Sequence, residues 1–172
     1  MTDVAAFQEF ALSATQRGAI AESIVAIELM TGSNGRLAPF RPLADDDGID
    51  LLVYDKATSR ATPLQVKARF NVDAGGTVEF NIRRATWRPD PAARLLCVLV
   101  EGRRIVAAWL IPMDKLDTIA ALKKDKFVLT PSPKETSRDR FAAYQVRDVA
   151  AAIVSSAVDG TVGKSTAAEL RA

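Results

Sequence analysis

The sequence predicts an α/β fold in which helices pack on one mixed sheet of about five strands. Three observations point there. The chain opens on a helical pattern, runs through short β-rich segments between positions 36 and 111, and returns to helical periodicity after Pro112. At 172 residues it is long enough to bury one core and short for two. No internal repeat or low-complexity block interrupts that order.

Residues 4–30 carry apolar side chains at helical spacing, with Phe7, Phe10, Ala11 and Ala14 at i, i+3, i+4 and i+7. Gly18 suggests a break into two helices. The second piece, residues 19–30, is apolar nearly all round, which implies burial. Thr31-Gly32-Ser33-Asn34-Gly35 ends it with strong turn chemistry. A short strand is expected over residues 36–42, a turn at Asp45-Asp46-Asp47-Gly48, and a strand over 49–54. A polar hairpin loop spans 55–62 and the returning strand covers 64–70. After a turn at 71–76, Val78, Phe80 and Ile82 alternate as a further strand. The apolar runs 95–100 and 105–111 form a hairpin across Glu101-Gly102-Arg103-Arg104, which Pro112 closes. A helix around 114–123 is expected next, then a polar stretch with short strands at 127–129 and near 144–146. Residues 149–158 read as a helix. Residues 1–155 are thus expected to form one domain, with 156–172 as a flexible C-terminal tail.

Composition removes much chemistry. The chain has no His, which excludes Ser-His triads, His-ligated zinc and imidazole acid–base catalysis. Its single cysteine, Cys97, lies in an apolar run, so neither an intrachain disulfide nor a multi-Cys metal site is available. Carboxylates, lysines, arginines, hydroxyls and amides remain. The longest apolar runs fall far short of the about 20 residues a membrane span requires, so no membrane association is expected. The start of the chain carries Asp3 and Glu9 and lacks a basic segment followed by an apolar block, so a cytoplasmic protein is expected.

Net charge is +2, unevenly spread. Residues 1–55 hold 3 basic and 9 acidic side chains, residues 56–104 hold 10 and 4, and the remainder holds 10 and 8. An acidic cluster beside a basic stretch suits a metal site next to a phosphate-binding surface.

The chemistry concentrates in two strands and a helix. Asp50 opens the strand that follows the Asp47-Gly48-Ile49 turn, and Gln65-Val66-Lys67 lies in the returning strand. Alternation puts Gln65 and Lys67 on one face, with Leu64, Val66, Ala68 and Phe70 on the other. The spacing of 15 between Asp50 and Gln65 suits a hairpin that sets the two segments side by side. That face then offers a carboxylate, an amide oxygen and an ammonium. Glu22 is the third element. Its helical neighbours are Gly18, Val25, Ala26 and Leu29, and a carboxylate beside an apolar face needs a cation or donors. A divalent metal shared with Asp50 would supply the charge, and Gly18 would let a ligand or another backbone come close. Turn chemistry and a cross-strand ion pair would also account for Asp47, Asp50 and Lys67, and a helix surface for Glu22.

Glu22 on a helix, then Gly48-Ile49-Asp50, then Gln65-Val66-Lys67 resembles the ordered signature of the PD-(D/E)XK nuclease superfamily, in a variant with Gln in the second acidic position. The Gly-Ile-Asp and Gln-x-Lys pair is similar to Mrr-like restriction endonucleases and related resolvase-like branches. The match covers roughly residues 18–70. The resemblance implies a restriction endonuclease-like fold and Mg²⁺ (or Mn²⁺) as cofactor. It implies Asp50 as principal metal ligand, Gln65 coordinating through its side-chain oxygen, the backbone carbonyl of Val66 assisting, and Glu22 as a further ligand, directly or through water. Lys67 would position or deprotonate the attacking water and stabilise charge on the phosphate. Hard oxygen ligands and a water-activating Mg²⁺ fit this side-chain inventory. Gln in place of an acid removes one unit of ligand charge and should weaken metal binding, a departure some active branches of the family tolerate.

Other signals carry less. Gly160-Thr161-Val162-Gly163-Lys164-Ser165-Thr166 has two residues between its glycines where a phosphate loop needs four, and it follows a helix instead of a strand. Arg83, Arg84, Trp87 and Arg88 could contact phosphate and stack a base, but Trp87 reads better as packing on a sheet edge. Trp109 alternates within a strand and reads as core. Residues 132–140 could form a DNA-contacting loop, with nothing diagnostic in them. The expected function is a Mg²⁺-dependent nuclease whose partner is nucleic acid, DNA in preference to RNA, with a homodimer as the simplest way to cut two strands. The alternatives are a catalytically inactive nuclease-fold module that binds nucleic acid or protein, and an enzyme acting on another nucleotide-like substrate.

Overall fold

The computed structural model describes residues 12–44 and 48–159, the last three by backbone alone. Phe7, Phe10 and Ala11, the Asp45-Asp46-Asp47 turn, the Gly160 to Thr166 run and the tail from 160 onward lie outside the described residues.

Helix α1 spans Ala14–Gly32 and starts at a reciprocal cap. The Ser13 hydroxyl accepts from the Gln16 N–H at 3.2 Å, and the Gln16 side chain accepts from the Ser13 N–H at 2.9 Å. The helix runs through Gly18 without a break, correcting the expected division there. Burial is also narrower than the composition suggested. Ala21, Val25 and Leu29 are buried, a stripe at four-residue spacing, whereas Ile20, Ile27 and Met30 are exposed. Only one side of the helix meets the sheet, so apolar composition all round does not translate into burial all round.

The main sheet has six strands, β1 (Leu37–Phe40), β2 (Leu51–Asp55), β3 (Arg60–Arg69), β5 (Arg94–Glu101), β6 (Arg104–Pro112) and β9 (Gln145–Val146), in the order β1-β2-β3-β5-β6-β9. Among the described strands of this sheet, only β3 and β5 pair in parallel. The parallel step requires a crossover. The connecting chain supplies β4 (Phe80–Arg83), which joins β8 (Lys126–Leu129) and β7 (Ala121–Lys123) in a separate three-stranded antiparallel sheet. The α/β class and mixed sheet are as expected; this second sheet is an addition. It also corrects the helix expected over 114–123, where a helix of one turn, α2 (Leu116–Ile119), gives way to β7. Helix α3 (Val149–Asp159) closes the order.

The result is three layers. Leu64, Val66, Leu96 and Val98 face α1 and α3, with Val25, Leu29 and Ile153 among their neighbours. Leu95, Cys97, Leu99 and Trp109 face the small sheet, meeting Phe80, Ile82, Phe127 and Leu129. Strand β5 is buried from Arg94 to Val100 because both of its faces are covered. Trp87 packs edge-to-face on Phe127 at 5.0 Å and donates its Nε1–H to the Met113 carbonyl at 2.9 Å, a structural role. At the far end of the main sheet, Arg36 Nε and Nη2 each donate to Asp55 at 2.7 Å. This fork holds the Asp55 carboxyl well below the usual carboxylate range despite its burial, helped by the Ala57 N–H and the Thr58 hydroxyl. No described helix is long and apolar enough to cross a membrane.

Candidate active site

Alternation along β3 sorts its side chains as its sequence requires. Leu64 and Val66 enter the core beneath the helices, with Ala68 and Phe70 packed against them, while Gln65 and Lys67 line a cleft on the side of the small sheet. Leu51 of β2 pairs with Leu64, and the Asp50 N–H donates to the Leu64 carbonyl at 3.0 Å, so Asp50 falls opposite Gln65. Its carboxylate accepts the Val66 N–H at 2.6 Å. A strand residue's N–H and C=O point toward the same edge, so the Val66 carbonyl is directed to Asp50's side as well.

Gly48 makes the approach possible. Its φ of +68° lies in the left-handed region, and a Cβ there would stand 2.8 Å from Gln65 Nε2 and 3.2 Å from the Thr86 carbonyl. The glycine before Asp50 therefore both turns the chain and clears space for the Gln65 amide.

Two adjoining clefts share Asp50 and Lys67. One, of about 390 Å³, is lined by Gly48, Asp50, Gln65, Lys67, Asn81, Arg83 and Thr86. The other, of about 430 Å³, brings Glu22 of α1 into line with Asp50, Val66 and Lys67, together with Arg17, Gly18 and Arg69. Glu22 and Gln65 thus approach from opposite sides of the pair at the centre. The environment of Glu22 differs from the one expected: it is part-exposed, and Arg41 Nη2 lies 3.8 Å from its carboxylate. The partner required beside the apolar face comes from the segment after β1, a contact between distant positions that local sequence does not reveal.

Gln65 is 4% exposed, and its Oε1 has no hydrogen-bond partner among the described residues. A buried amide oxygen left without a donor costs free energy unless something electropositive faces it. Asp50, opposite it across the two strands, lines the same cleft, so the oxygens on offer are hard donors of the kind a Mg²⁺-like ion takes. Among the described residues no three His, Cys, Asp or Glu side chains cluster as a metal site, so an amide and a main-chain carbonyl would have to complete the set.

Asn81, Arg17 and Arg69 were not singled out by sequence. Asn81 had a readable signal: it is the polar residue between Phe80 and Ile82 on an alternating strand, on the same face as Arg83. Arg88 turns back on its own loop, donating to the Ala85 and Trp87 carbonyls at 3.1 and 3.0 Å.

No family model matches the chain, and no curated protein matches it. Among solved structures, the fold is similar to that of a bacterial homing endonuclease, I-Ssp6803I, with a TM-score of 0.58 at 17% sequence identity. The similarity covers 87% of this chain and 98% of that one. It is a likeness of fold.

Proposed function

We propose that this chain is a metal-dependent nuclease of PD-(D/E)XK type that hydrolyses phosphodiester bonds in DNA. The observation that carries the reading is the buried Oε1 of Gln65, without a hydrogen-bond partner among the described residues, in one cleft with Asp50 and with Lys67 on the same strand face. Similarity of fold to a homing endonuclease over most of both chains supports it, as an argument by analogy.

Asp50, Gln65 Oε1, the Val66 carbonyl and Glu22 would hold Mg²⁺ (or Mn²⁺). When bound, the ion supplies Lewis acidity toward a phosphate oxygen and makes a coordinated water a better nucleophile. The Val66 N–H fixes the orientation of the Asp50 carboxylate. The Lys67 ammonium, fixed on β3, faces the cleft where a scissile phosphate would lie. It orients the attacking water and stabilises the negative charge that builds on the phosphate oxygens as the new P–O bond forms and the bond to the leaving oxygen breaks. Arg83, in the same cleft, contributes a phosphate contact.

The second reading is a catalytically inactive nuclease-fold module that binds nucleic acid or protein. It is favoured by one observation, the amide at position 65, which leaves the site with one charge fewer than an acid would give. Cleavage of supercoiled plasmid with Mg²⁺ or Mn²⁺ separates the two. Wild type should nick or linearise it only with metal, and Lys67→Ala should lower the rate at least 100-fold, the order expected for one positioned electrostatic group. Equal activity in both proteins would assign the wrong residue. DNA binding by both proteins with cleavage by neither would favour the binding module.

A further inference from the structure

The small sheet carries a row of exposed cations. Arg83 of β4 lies directly opposite Lys126 of β8, and Lys126 lies directly opposite Lys123 of β7. Residues paired across strands share a face, so the three charges stand side by side on the face that also bears Asn81. All three are exposed, and none has an ion-pair partner among the described residues. Like charges directly opposite one another destabilise a sheet. The Lys123–Lys126 connection adds another cation, Lys124, at a φ of +55°, where Asn or Gly is the ordinary choice. Asp125, between them, is exposed, and its carbonyl accepts the Arg84 N–H at 2.8 Å.

The row has a direction. Asn81 and Arg83 line the cleft of Asp50, Gln65 and Lys67, so the cations begin at the candidate active site and lead away from it across two strand spacings, roughly 10 Å. We propose that the Arg83–Lys126–Lys123 row binds the phosphate backbone of duplex DNA and guides it into the cleft. This rests on the nuclease reading for its substrate. It adds that the small sheet, absent from the signature residues, is the docking surface.

The test is the salt dependence of DNA binding by the full chain, measured by fluorescence anisotropy of a labelled duplex in EDTA, where cleavage is off. Each phosphate contact contributes about 0.9 to the slope of log K against log salt. Lys123→Gln/Lys126→Gln should therefore lower the slope by about 1.8. Lys56→Gln/Arg60→Gln, which removes the same charge at the opposite end of β3, should leave it near wild type. Thermal melting separates binding loss from misfolding: relief of like-charge repulsion should leave the Tm of Lys126→Gln unchanged or raised. An unchanged slope in the double variant, an equal drop in the control pair, or no salt-dependent DNA binding by wild type overturns the proposal. A lowered slope with no metal-dependent cleavage by wild type would sink the nuclease reading and leave the docking row standing. Cleavage with an unchanged slope would do the reverse.

Discussion

Gly48 is the residue on which the site's geometry turns, because its backbone conformation and its missing side chain are both used. Gly48→Ala would add the cost of a positive φ and push a Cβ to 2.8 Å from the Gln65 amide. The expected loss is roughly 2–3 kcal/mol of stability, read by denaturant melts; under the proposed nuclease function, cleavage should fall further than stability because Gln65 is displaced. Asp55 gives a second expectation. Its carboxyl titrates well below the ordinary value in the folded chain, chiefly through the Arg36 fork, so its contribution is present above about pH 4 and is lost as pH falls below that. Asp55→Ala should cost roughly 2–3 kcal/mol at neutral pH and flatten the acid limb of a stability–pH curve. Some acid dependence should persist through Asp139: burial pushes its carboxyl up, but the N–H groups of Ser132 and Phe141 and the Ser137 hydroxyl outweigh that and hold it down. The shared face of Gln65 and Lys67 was legible because alternation is a local property of a strand. The Arg41–Glu22 and Arg36–Asp55 contacts were not, since each joins positions about 19 apart through tertiary packing.

Helix α1 and strand β3 do most of the positioning. The helix brings Glu22 to the cleft only because Ala21, Val25 and Leu29 pin its inner stripe to the sheet. Gly18 sits within it, and among the described residues nothing beyond its chain neighbours and the helix's own backbone comes within 4 Å of where a Cβ would be. Gly18→Ala should therefore stabilise the chain by about 0.5–1 kcal/mol, raising Tm by roughly 1–4 °C. A fall in Tm would mean that the helix does not run continuously through this position. The strand hairpin β2–β3 could be read from the sequence because its two members are neighbours and each keeps a clear period of two. The small sheet could not: Phe80 pairs with Leu129, a long-range register, and the residues of β7 fit a helical period as well as an extended one. Propensity was overridden there by the pairing that β8 offers.

In the whole molecule, the three layers set the acidic and basic regions of the sequence against each other. The acidic first third supplies Glu22 and Asp50, and the basic middle supplies Lys67, Arg69 and Arg83, all lining two clefts that meet at Asp50 and Lys67. The charge asymmetry visible in the sequence is thus a feature of one site and not only of two chain segments. In the proposed function a divalent cation would be held where Asp50 meets Gln65. Calorimetric titration of the DNA-free protein with Mn²⁺ tests this most directly. Wild type should bind one ion per chain, Asp50→Ala should lose that binding, and Gln65→Glu should tighten it by restoring the missing ligand charge. Equal binding by wild type and Asp50→Ala, or no binding by any of the three, would contradict the account.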